Sequence, residues 1–266
     1  MGKNSTVPID EDYQAWIQYP QYRWIFNKLE VSLRLGYDAG PACVPITKPN
    51  KYIIRPIYNL YGMGVGAKVK SLDPRLHAED MTHHKHVPPG HFWCEYFEGE
   101  HLSIDFKRVS HVQLNRNFRP FCTVRGLHKK PEKNLVMFDS WEKIENPTDF
   151  RLPDFVNDLS DVDFINIETI GDKIIEIHLR TGNDFMWDYD IGTIMYPIWN
   201  REIKTSAGYK IIKNLHDDSF KYSADGHLTD IRYGYKVEED AYEIAQQNTK
   251  QKELERIRTE ESEEDS

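Results

Sequence analysis

The stretch from residue 52 to residue 70 limits most strongly what this chain can fold into, because three glycines at every second position separate two strand-like segments. Residues 52–57 form a short apolar run that carries Arg55 and is interrupted at Pro56. Such a run is typical of a buried strand, in which proline removes one backbone hydrogen bond to the neighbouring strand. Residues 67–72 resume the alternation of a strand. The pattern predicts two strands joined by a glycine loop.

The loop glycines, Gly62, Gly64 and Gly66, allow two interpretations. Glycine lets a backbone approach a ligand closely and turn its N–H groups toward an anion, and Arg55 or Lys68 would supply positive charge. We therefore interpret the loop as a flap over nucleotide phosphates, whereas the alternative is a glycine-rich hairpin without a ligand. The spacing matches neither the dinucleotide fingerprint nor a Walker-type loop, and no protein-kinase catalytic motif follows it.

Length and charge narrow the class of protein. The chain has 266 residues, which is enough for one large domain or two lobes with a sizeable core. Its net charge of -9 argues against binding duplex DNA through a basic face, so a nucleic-acid partner is not favoured. The three cysteines are widely spaced and fit reduced thiols. Because no apolar leader and no membrane-spanning stretch is present, we expect a soluble cytoplasmic protein with no membrane partner.

An amphipathic helix is predicted over residues 22–35, where Ile25, Leu29 and Leu33 recur at four-residue spacing and Gly36 provides a stop. Lys28 lies inside this helix, and on the helix alone it is most simply a solvated lysine. The preceding residues 1–20 are polar and rich in turn formers, which predicts an N-terminal arm lying on the surface.

Strands are also predicted in the middle of the chain. Residues 91–106 indicate two strands that meet at a turn containing Gly99. Strand-forming stretches that carry Arg116, Arg119 and Arg125 follow. These arginines either lie on an exposed strand face or form a pocket for an anionic substrate, and the sequence leaves both interpretations open.

A second hairpin is predicted over residues 164–180, with its turn at Gly171-Asp172. Along each strand polar residues alternate with apolar ones, so that those of one strand share a face. The polar residues are Asn166, Glu168, Glu176, His178 and Arg180. Carboxylate, amide and imidazole groups on one face would suit magnesium held by few protein ligands and several phosphate oxygens. The alternative is a solvated sheet face with cross-strand ion pairs.

Four segments, in order, resemble the motifs of the ATP-grasp superfamily. Lys28 lies on a helix that leads to Gly40-Pro41, as in the lysine-bearing opening of that family. Residues 53–69 are similar to its glycine-rich hairpin, and residues 95–105 resemble its hinge. The closing segment Glu176-Ile-His178-Leu-Arg180 resembles the family's Glu-Ile-Asn-Pro-Arg. Together these segments cover roughly residues 21–190.

The resemblance implies an α+β fold in which two α+β lobes with antiparallel sheets enclose a nucleotide cleft. The implied N-lobe is residues 21–97 and the C-lobe, with extra strands, is residues 98–236; a charged helix and acidic tail, residues 237–266, follow. ATP and Mg2+ are the implied cofactors. The implied function is an ATP- and Mg-dependent ligase that joins a carboxylate to an amine or another nucleophile through an acyl phosphate. The alternative is a non-catalytic nucleotide-binding or assembly module that keeps the fold.

The resemblance also implies roles for individual residues. Nucleotide contacts are implied for Lys28, Arg55, Gly62, Gly64, Glu95, Tyr96, Phe97, Glu100 and His101. Of these, Lys28 and Arg55 would contact the phosphates, the backbone around residues 95–97 the adenine, and Glu100 or His101 the ribose. The implied metal ligands are Glu176, Asn166 or Asp163, and His178. Arg116, Arg119, Arg125 or Arg180 would hold the substrate carboxylate, because a planar guanidinium binds it bidentately.

Several positions depart from the family's pattern. Arg55 stands where lysine is usual, which resembles an arginine-bearing branch found in phages and bacteria. His101 replaces a glutamate, and His178 replaces a metal-binding asparagine. Imidazole is a poorer magnesium ligand than an amide oxygen, so one-metal binding, a shifted metal site and lost catalysis all stay open.

The expected substrates are small-molecule or peptide carboxylates and amines, and the acidic tail either binds a basic protein or is simply solvated.

Overall fold

The computed structural model describes residues 11–60, 66–76, 85–109, 118–128, 138–199, 206–213 and 232–264. Contacts within the chain divide it into two compact units. The first unit comprises Met1–Thr123, Pro131–Met137 and Asn146–Gly182, and the second comprises Val124–Lys130, Phe138–Glu145 and Asn183–Ser266. The lobe boundary expected between residues 97 and 98 stays a prediction.

Both units combine helices with strands. The helices of the first unit are α1 (Asp12–Gln18), α2 (Lys28–Arg34) and two 3-10 helices, Pro20–Phe26 and Asp154–Asp158. Its strands are β1 (Ala39–Pro41), β2 (Asn50–Pro56), β3 (Lys68–Leu72), β4 (His91–Glu95), β5 (His101–Arg108), β8 (Phe164–Ile170) and β9 (Lys173–His178), and it holds the first part of β6 (Phe118–Leu127). The second unit has β7 (Ser140–Ile144), β10 (Ile194–Trp199), β11 (Tyr209–Lys213), β12 (Arg232–Glu238), the 3-10 helix Asp184–Met186 and α3 (Glu239–Glu264).

A four-stranded antiparallel sheet in the first unit has the order β1-β4-β2-β3. The two strands predicted around the glycine loop are neighbours in it, with Tyr52 opposite Lys70, which confirms their pairing. Tyr52 and Ile54 point into a core with Trp93, because alternate residues of β2 face the same side. A Cβ on Gly40 would lie 2.7 Å from the Trp93 ring, so a glycine is needed where β1 packs on this indole. Gly62 and Gly64 lie outside the described residues.

The predicted hairpin of β8 and β9 is confirmed, and β5 pairs with β8 on its other side, all antiparallel. Gly171 has φ +59 in the turn, a conformation that glycine adopts without steric cost. The apolar side chains of the three strands lie in the core of the first unit; Ile104, Phe106, Ile165, Ile167 and Ile177 belong to this set. The polar side chains therefore share the opposite face. The predicted fold class, α+β with antiparallel sheets, is confirmed.

The single helix expected over residues 22–35 is interrupted, because the 3-10 helix ends at Phe26 and α2 begins at Lys28. The side chain of Asn27 accepts a hydrogen bond of 3.0 Å from the backbone N–H of Glu30, which is the action of an N-cap. Asn27 thus starts a new helix in the middle of the predicted one, and the backbone N–H of Lys28 donates to the Ile57 carbonyl at 2.9 Å. The predicted stop is confirmed at Gly36, which has φ +77.

The part of the expected surface arm that the structure describes is helical and packs into the fold. In α1, Asp12 is 2% exposed and Ala15 is fully buried in the core of the first unit. The polar composition of residues 1–20 concealed this packing, because one small apolar residue and one paired carboxylate are enough to bury a short helix face.

The second unit contains an antiparallel sheet in the order β11-β12-β10-β7. The predicted charged helix is found as α3, and Ala245 on it is buried. The carboxylate of Asp188 accepts a hydrogen bond from Thr249 at 2.9 Å and pairs with Lys252 at 2.7 Å. None of the helices in the described part of the chain is both long and apolar enough to cross a membrane.

Candidate functional site

Three neighbouring strands of the first unit place polar side chains on one face of the sheet, which we call the polar face. Its members are His101, Ser103 and Asp105 from β5, Asn166 and Glu168 from β8, and Glu176 and His178 from β9. The pairing sets Ser103 and Glu176 on either side of Glu168, and Asp105 and His178 on either side of Asn166. Directly opposed side chains on one face lie about 5 Å apart at Cβ, so these groups form one cluster.

Asn166, Ser103 and Asp105 of the polar face and the backbone of Gly182 form a hydrogen-bond network, which we call the floor of the site. The side-chain N–H groups of Asn166 donate to Ser103 Oγ and to Asp105 Oδ1, each at 2.8 Å. The backbone N–H of Gly182 donates to the same Asp105 oxygen at 2.8 Å. A Cβ at Gly182 would lie 2.7 Å from the Asn166 amide, so this close approach requires glycine. Asn166 was predicted to be a metal ligand, and in this structure its amide nitrogen is committed to the floor.

A group able to hold a metal ion stands beside this floor. Glu168, Glu176 and His178 offer ligand atoms that all lie within 4.8 Å of one another. The Nε2 atom of His178 is 3.5 Å from Glu168 Oε1 and 3.3 Å from Glu176 Oε2. This nitrogen is buried and has no hydrogen-bond partner among the residues that the structure describes. Two carboxylates and an unsatisfied imidazole nitrogen fit a divalent cation.

Glu168 was missing from the predicted ligands. A regular hairpin continued from the pair Ile170 and Lys173 would set it opposite Ile175, and a register shift between Glu168 and Thr169 brings it opposite Glu176 instead. Asp163 had been predicted instead. It does not belong to the metal-binding group found among the described residues, and its backbone carbonyl accepts a hydrogen bond of 2.8 Å from the N–H of Arg108. Asp163 precedes β8, so it falls outside the alternation that fixes the other acids on the polar face.

Asp12 of α1 holds the other nitrogen of His178. Its carboxylate oxygens lie 2.9 and 3.0 Å from His178 Nδ1, and Oδ1 accepts a hydrogen bond of 2.8 Å from Arg180 Nε. Burial opposes ionisation of Asp12, but the Arg180 guanidinium and the His178 ring hold its pKa well below the usual range. Burial likewise opposes a charge on His178, but Asp12 raises the pKa of the imidazole well above its usual value. Sequence reasoning missed Asp12 because no local pattern marks it.

The two cations assigned to phosphate binding meet at Glu176. Lys28 Nζ donates to Glu176 Oε1, and Arg55 Nη1 lies 3.4 Å from the same oxygen. Arg55 Nη2 also donates to the Ile175 carbonyl at 2.8 Å. The three charged side chains are only 11%, 10% and 13% exposed. Burial opposes ionisation of Glu176, but the Lys28 ammonium and the His178 ring hold its pKa at about 2.

The carboxylate of Glu168 is held between two imidazoles. His101 Nε2 lies 3.3 Å from Glu168 Oε2, while His178 faces the other oxygen. Burial opposes ionisation of Glu168, but the neighbouring His101 and His178 rings hold its pKa well below the usual range. His101, expected near the ribose, is thus brought to the carboxylates; its ribose contact stays a prediction.

The segment expected to meet adenine links β4 to β5, which belong to different sheets. Glu95 accepts a hydrogen bond of 3.1 Å from the Asp38 N–H, and the Tyr96 N–H donates to the Lys51 carbonyl at 3.1 Å. The ring centroid of Phe97 lies 4.8 Å from that of Tyr37. These contacts fix the segment in place, and its adenine contact stays a prediction.

The linker then passes the turn of the β8–β9 hairpin. Gly99 has φ +142, and a Cβ there would lie 2.8 Å from the Gly171 backbone, so the turn requires glycine. The backbone carbonyl of Glu100 accepts a hydrogen bond of 2.8 Å from the Gly171 N–H. The side chain of Glu100 is exposed, and its ribose contact stays a prediction.

Of the four arginines expected to bind the substrate carboxylate, Arg116 lies outside the described residues, and the other three lie on different elements. Arg180 is bound to Asp12. Arg125 is paired with Glu142 at 2.6 Å within the second unit. Arg119 is exposed on β6. The structure therefore brings Arg180 to the polar face, and the substrate-binding role of all three stays a prediction.

Comparison with known proteins gives partial likenesses of fold. Neither a protein-family model nor a curated protein matches the chain. A candidate ATP-grasp superfamily protein from Archaeoglobus fulgidus aligns at 14% identity and a TM-score of 0.44, over 81% of this chain and 64% of that one. L-amino acid ligase from Bacillus licheniformis aligns at 10% identity and a TM-score of 0.47, over 81% and 68%.

N5-carboxyaminoimidazole ribonucleotide synthetase from Thermus thermophilus aligns at 9% identity and a TM-score of 0.49, over 86% of this chain and 72% of that one. The chain therefore spans about two thirds of the length of the solved structures it matches. With TM-scores below 0.5, these likenesses concern the arrangement of part of the fold, and the activities named are those of the other proteins.

Proposed function

We propose that this protein is an ATP- and divalent-metal-dependent ligase that joins a carboxylate to an amine or a related nucleophile through an acyl phosphate. One observation carries the proposal: Lys28 and Arg55 converge on Glu176, which faces Glu168 across the hairpin. Phosphoryl transfer asks mainly for positioning and charge neutralisation rather than for covalent chemistry by the protein. Two nearly buried cations beside two carboxylates supply both requirements.

Nucleotide binding would replace the salt bridges that Glu176 makes with Lys28 and Arg55. Lys28 and Arg55 are neutralised by Glu176 in this structure, and both would turn to phosphate oxygens when a nucleotide binds. Glu168, Glu176 and His178 would then hold the metal ion. When bound, the metal neutralises charge on the phosphate oxygens and on the developing transition state. The buried setting strengthens each of these interactions, since water screens them weakly.

The proposed reaction proceeds in two steps. A substrate carboxylate oxygen bonds to the γ-phosphorus of ATP while the bond to the β,γ-bridging oxygen breaks and ADP leaves. The amine nitrogen then bonds to the acyl carbon, phosphate leaves with the oxygen it acquired, and the amine loses a proton to solvent or a nearby base. The residues of the polar face position the phosphates for the first step. We propose small-molecule or peptide carboxylates and amines as the substrates.

Nucleotide affinity of point variants tests this proposal. Lys28→Ala and Arg55→Ala should each weaken binding of ADP with a divalent metal at least tenfold, because a charge-assisted hydrogen bond contributes about 1.5–3 kcal/mol. Lys173→Ala is the matched control, since Lys173 lies on the same hairpin and pairs with the exposed Asp172. Calorimetric titration would measure the three affinities. Unchanged affinity in both site variants would refute the proposal.

A second candidate function is a nucleotide-binding module without turnover. It is favoured by Arg180, whose guanidinium is fully engaged by Asp12 and by the Thr181 carbonyl at 2.8 Å. An ADP-release screen across pools of carboxylates and amines separates the two functions. The ligase sustains ADP release over many turnovers only when both substrates are present, because the amine must discharge the acyl phosphate, and it loses this activity in Glu176→Gln. The module releases none, and Glu176→Gln is then indistinguishable from the wild type.

A further inference from the structure

The ring of His178 is oriented so that Nε2 faces two carboxylate oxygens. Its Nδ1 atom lies 2.9 Å from Asp12 Oδ2, and an ionised carboxylate only accepts hydrogen bonds, so the proton of this contact resides on Nδ1. Asp12 is itself fixed by Arg180 and buried in α1. The ring therefore presents Nε2, the nitrogen without a hydrogen-bond partner in the described structure, to the carboxylates of Glu168 and Glu176, which we call the acidic pair.

Each carboxylate of the pair has one oxygen occupied and the other turned toward this nitrogen. Glu176 uses Oε1 for Lys28 and Arg55 and leaves Oε2 3.3 Å from His178 Nε2. Glu168 places Oε2 near His101 and Oε1 3.5 Å from the same nitrogen. Adjacent ligands about 2.1–2.2 Å from one octahedral metal ion lie roughly 3 Å apart, and the two distances from Nε2, 3.3 and 3.5 Å, are close to this spacing. The ligand atoms of all three residues lie within 4.8 Å of one another.

We propose that this site takes a first-row transition-metal dication, such as Mn2+, in preference to Mg2+, with His178 Nε2 as a direct ligand and Asp12 as its positioning residue. The inference rests on the proposed function and names the metal class of that site. Magnesium prefers oxygen ligands and keeps several waters, whereas imidazole nitrogen binds transition metals well. A histidine whose second nitrogen is held by a carboxylate is the arrangement that orients a metal ligand. Because only a deprotonated nitrogen binds a metal, the proton that Nε2 carries in the charged ring would be released to solvent as the metal binds.

Pulsed electron paramagnetic resonance of Mn2+ bound to the full chain tests this directly, without any need for turnover. Nitrogen-14 modulation of the Mn2+ echo reports an imidazole nitrogen bound to the metal. We expect this modulation in the wild type, both without nucleotide and with ADP, and its loss in His178→Asn. His101→Asn is the matched control, because His101 contacts Glu168 from the other side and should leave the modulation intact.

Metal affinities give a second, independent measurement. We expect the wild type to bind Mn2+ at least tenfold more tightly than Mg2+, and His178→Asn to bring the two affinities to within a few-fold. Asp12→Asn should weaken Mn2+ binding by about 10–100-fold, the usual effect of losing the partner of a metal-bound histidine. If Asp12→Asn does not fold, Asp12→Glu, which keeps the charge, serves for the same comparison.

The proposal is overturned if the wild type shows no nitrogen-14 modulation, if the modulation survives in His178→Asn, or if that variant leaves the Mn2+ to Mg2+ affinity ratio unchanged. These outcomes are distinct from failure of the proposed function. Loss of nucleotide binding with nitrogen modulation intact would refute the ligase and leave the metal site standing. Nucleotide binding without nitrogen modulation would refute only the metal assignment.

Discussion

His178 Nδ1 lies 2.9 Å from Oδ2 of Asp12, a residue 166 positions earlier in the chain. This contact joins the first described helix to β9, the strand that carries two of the three candidate metal ligands. Because Asp12 also binds Arg180, one carboxylate compensates both the imidazole and the guanidinium at this end of β9. The orientation of the His178 ring thus depends on helix α1, which contains none of the sequence motifs from which the site was predicted.

Replacing Asp12 should destabilise the protein strongly. In Asp12→Asn the buried His178 and the half-buried Arg180 lose their compensating charge, and breaking a buried ion pair from one side costs about 3–5 kcal/mol. Urea denaturation would measure the free energy of unfolding. Asp172→Asn is the control, because Asp172 is exposed and its substitution should change that free energy by less than about 0.5 kcal/mol. Equal stability of both variants would contradict the structural role of Asp12.

Acid should weaken the fold partly through Glu176. Its pKa is held at about 2 in the folded chain against a normal value of 4.5, so the unfolded chain takes up the proton first as the pH falls. The stability that the carboxylate contributes is therefore complete above about pH 4.5 and is lost progressively toward pH 2, by up to about 3 kcal/mol. Denaturation curves of the wild type and Glu176→Gln between pH 7 and pH 3 would measure this, and parallel pH profiles would contradict it.

Gly182→Ala should damage the site more than it damages the fold. The new Cβ would meet the Asn166 amide at 2.7 Å and push it away from Ser103 and Asp105, at a cost of about 1–3 kcal/mol. We expect Mn2+ affinity to fall together with stability. Gly192→Ala is the comparison, because no atom lies within 4 Å of its Cβ and only its φ of +89 opposes the change. We expect Gly192→Ala to lose stability and keep its Mn2+ affinity, and Gly182→Ala to lose both stability and Mn2+ affinity. The same effect in both variants would contradict this prediction.

Within the second unit, Asp188 should hold α3 in place. Asp188→Ala removes the partners of Thr249 and Lys252, and partly exposed contacts of this kind contribute about 0.2–1 kcal/mol each. The two contacts together contribute about 0.4–2 kcal/mol, so amide hydrogen exchange in α3 should accelerate about two- to thirtyfold. Glu255→Ala, which removes an exposed contact with Gln251 on the same helix, is the control and should change exchange little. Identical exchange in the wild type and Asp188→Ala would refute the anchoring role.

Much of the site followed from local patterns. Alternation grouped Asn166 with Glu168 and Glu176 with His178 along each predicted strand, and a register shift between Glu168 and Thr169 brings the two pairs onto one face. Alternation alone could not rank these residues as ligands. The side-chain amide of Asn166 turned out to belong to the floor, because Asp105 and Ser103 of a third strand accept its protons. A hairpin considered in isolation gives no information about the strand beside it.

Side-chain periodicity is a property of the backbone of each strand, so local patterns were sufficient to predict the two strand pairs, the glycine stop after α2 and the shared face of Glu176 and His178. Which distant groups meet that face depends on how separate elements pack. Asp12 reaches His178, and Lys28 and Arg55 reach Glu176, only after separate elements pack together. Contacts between residues more than 100 positions apart are fixed by the burial of apolar faces elsewhere, and that information is not present in the neighbours of either residue.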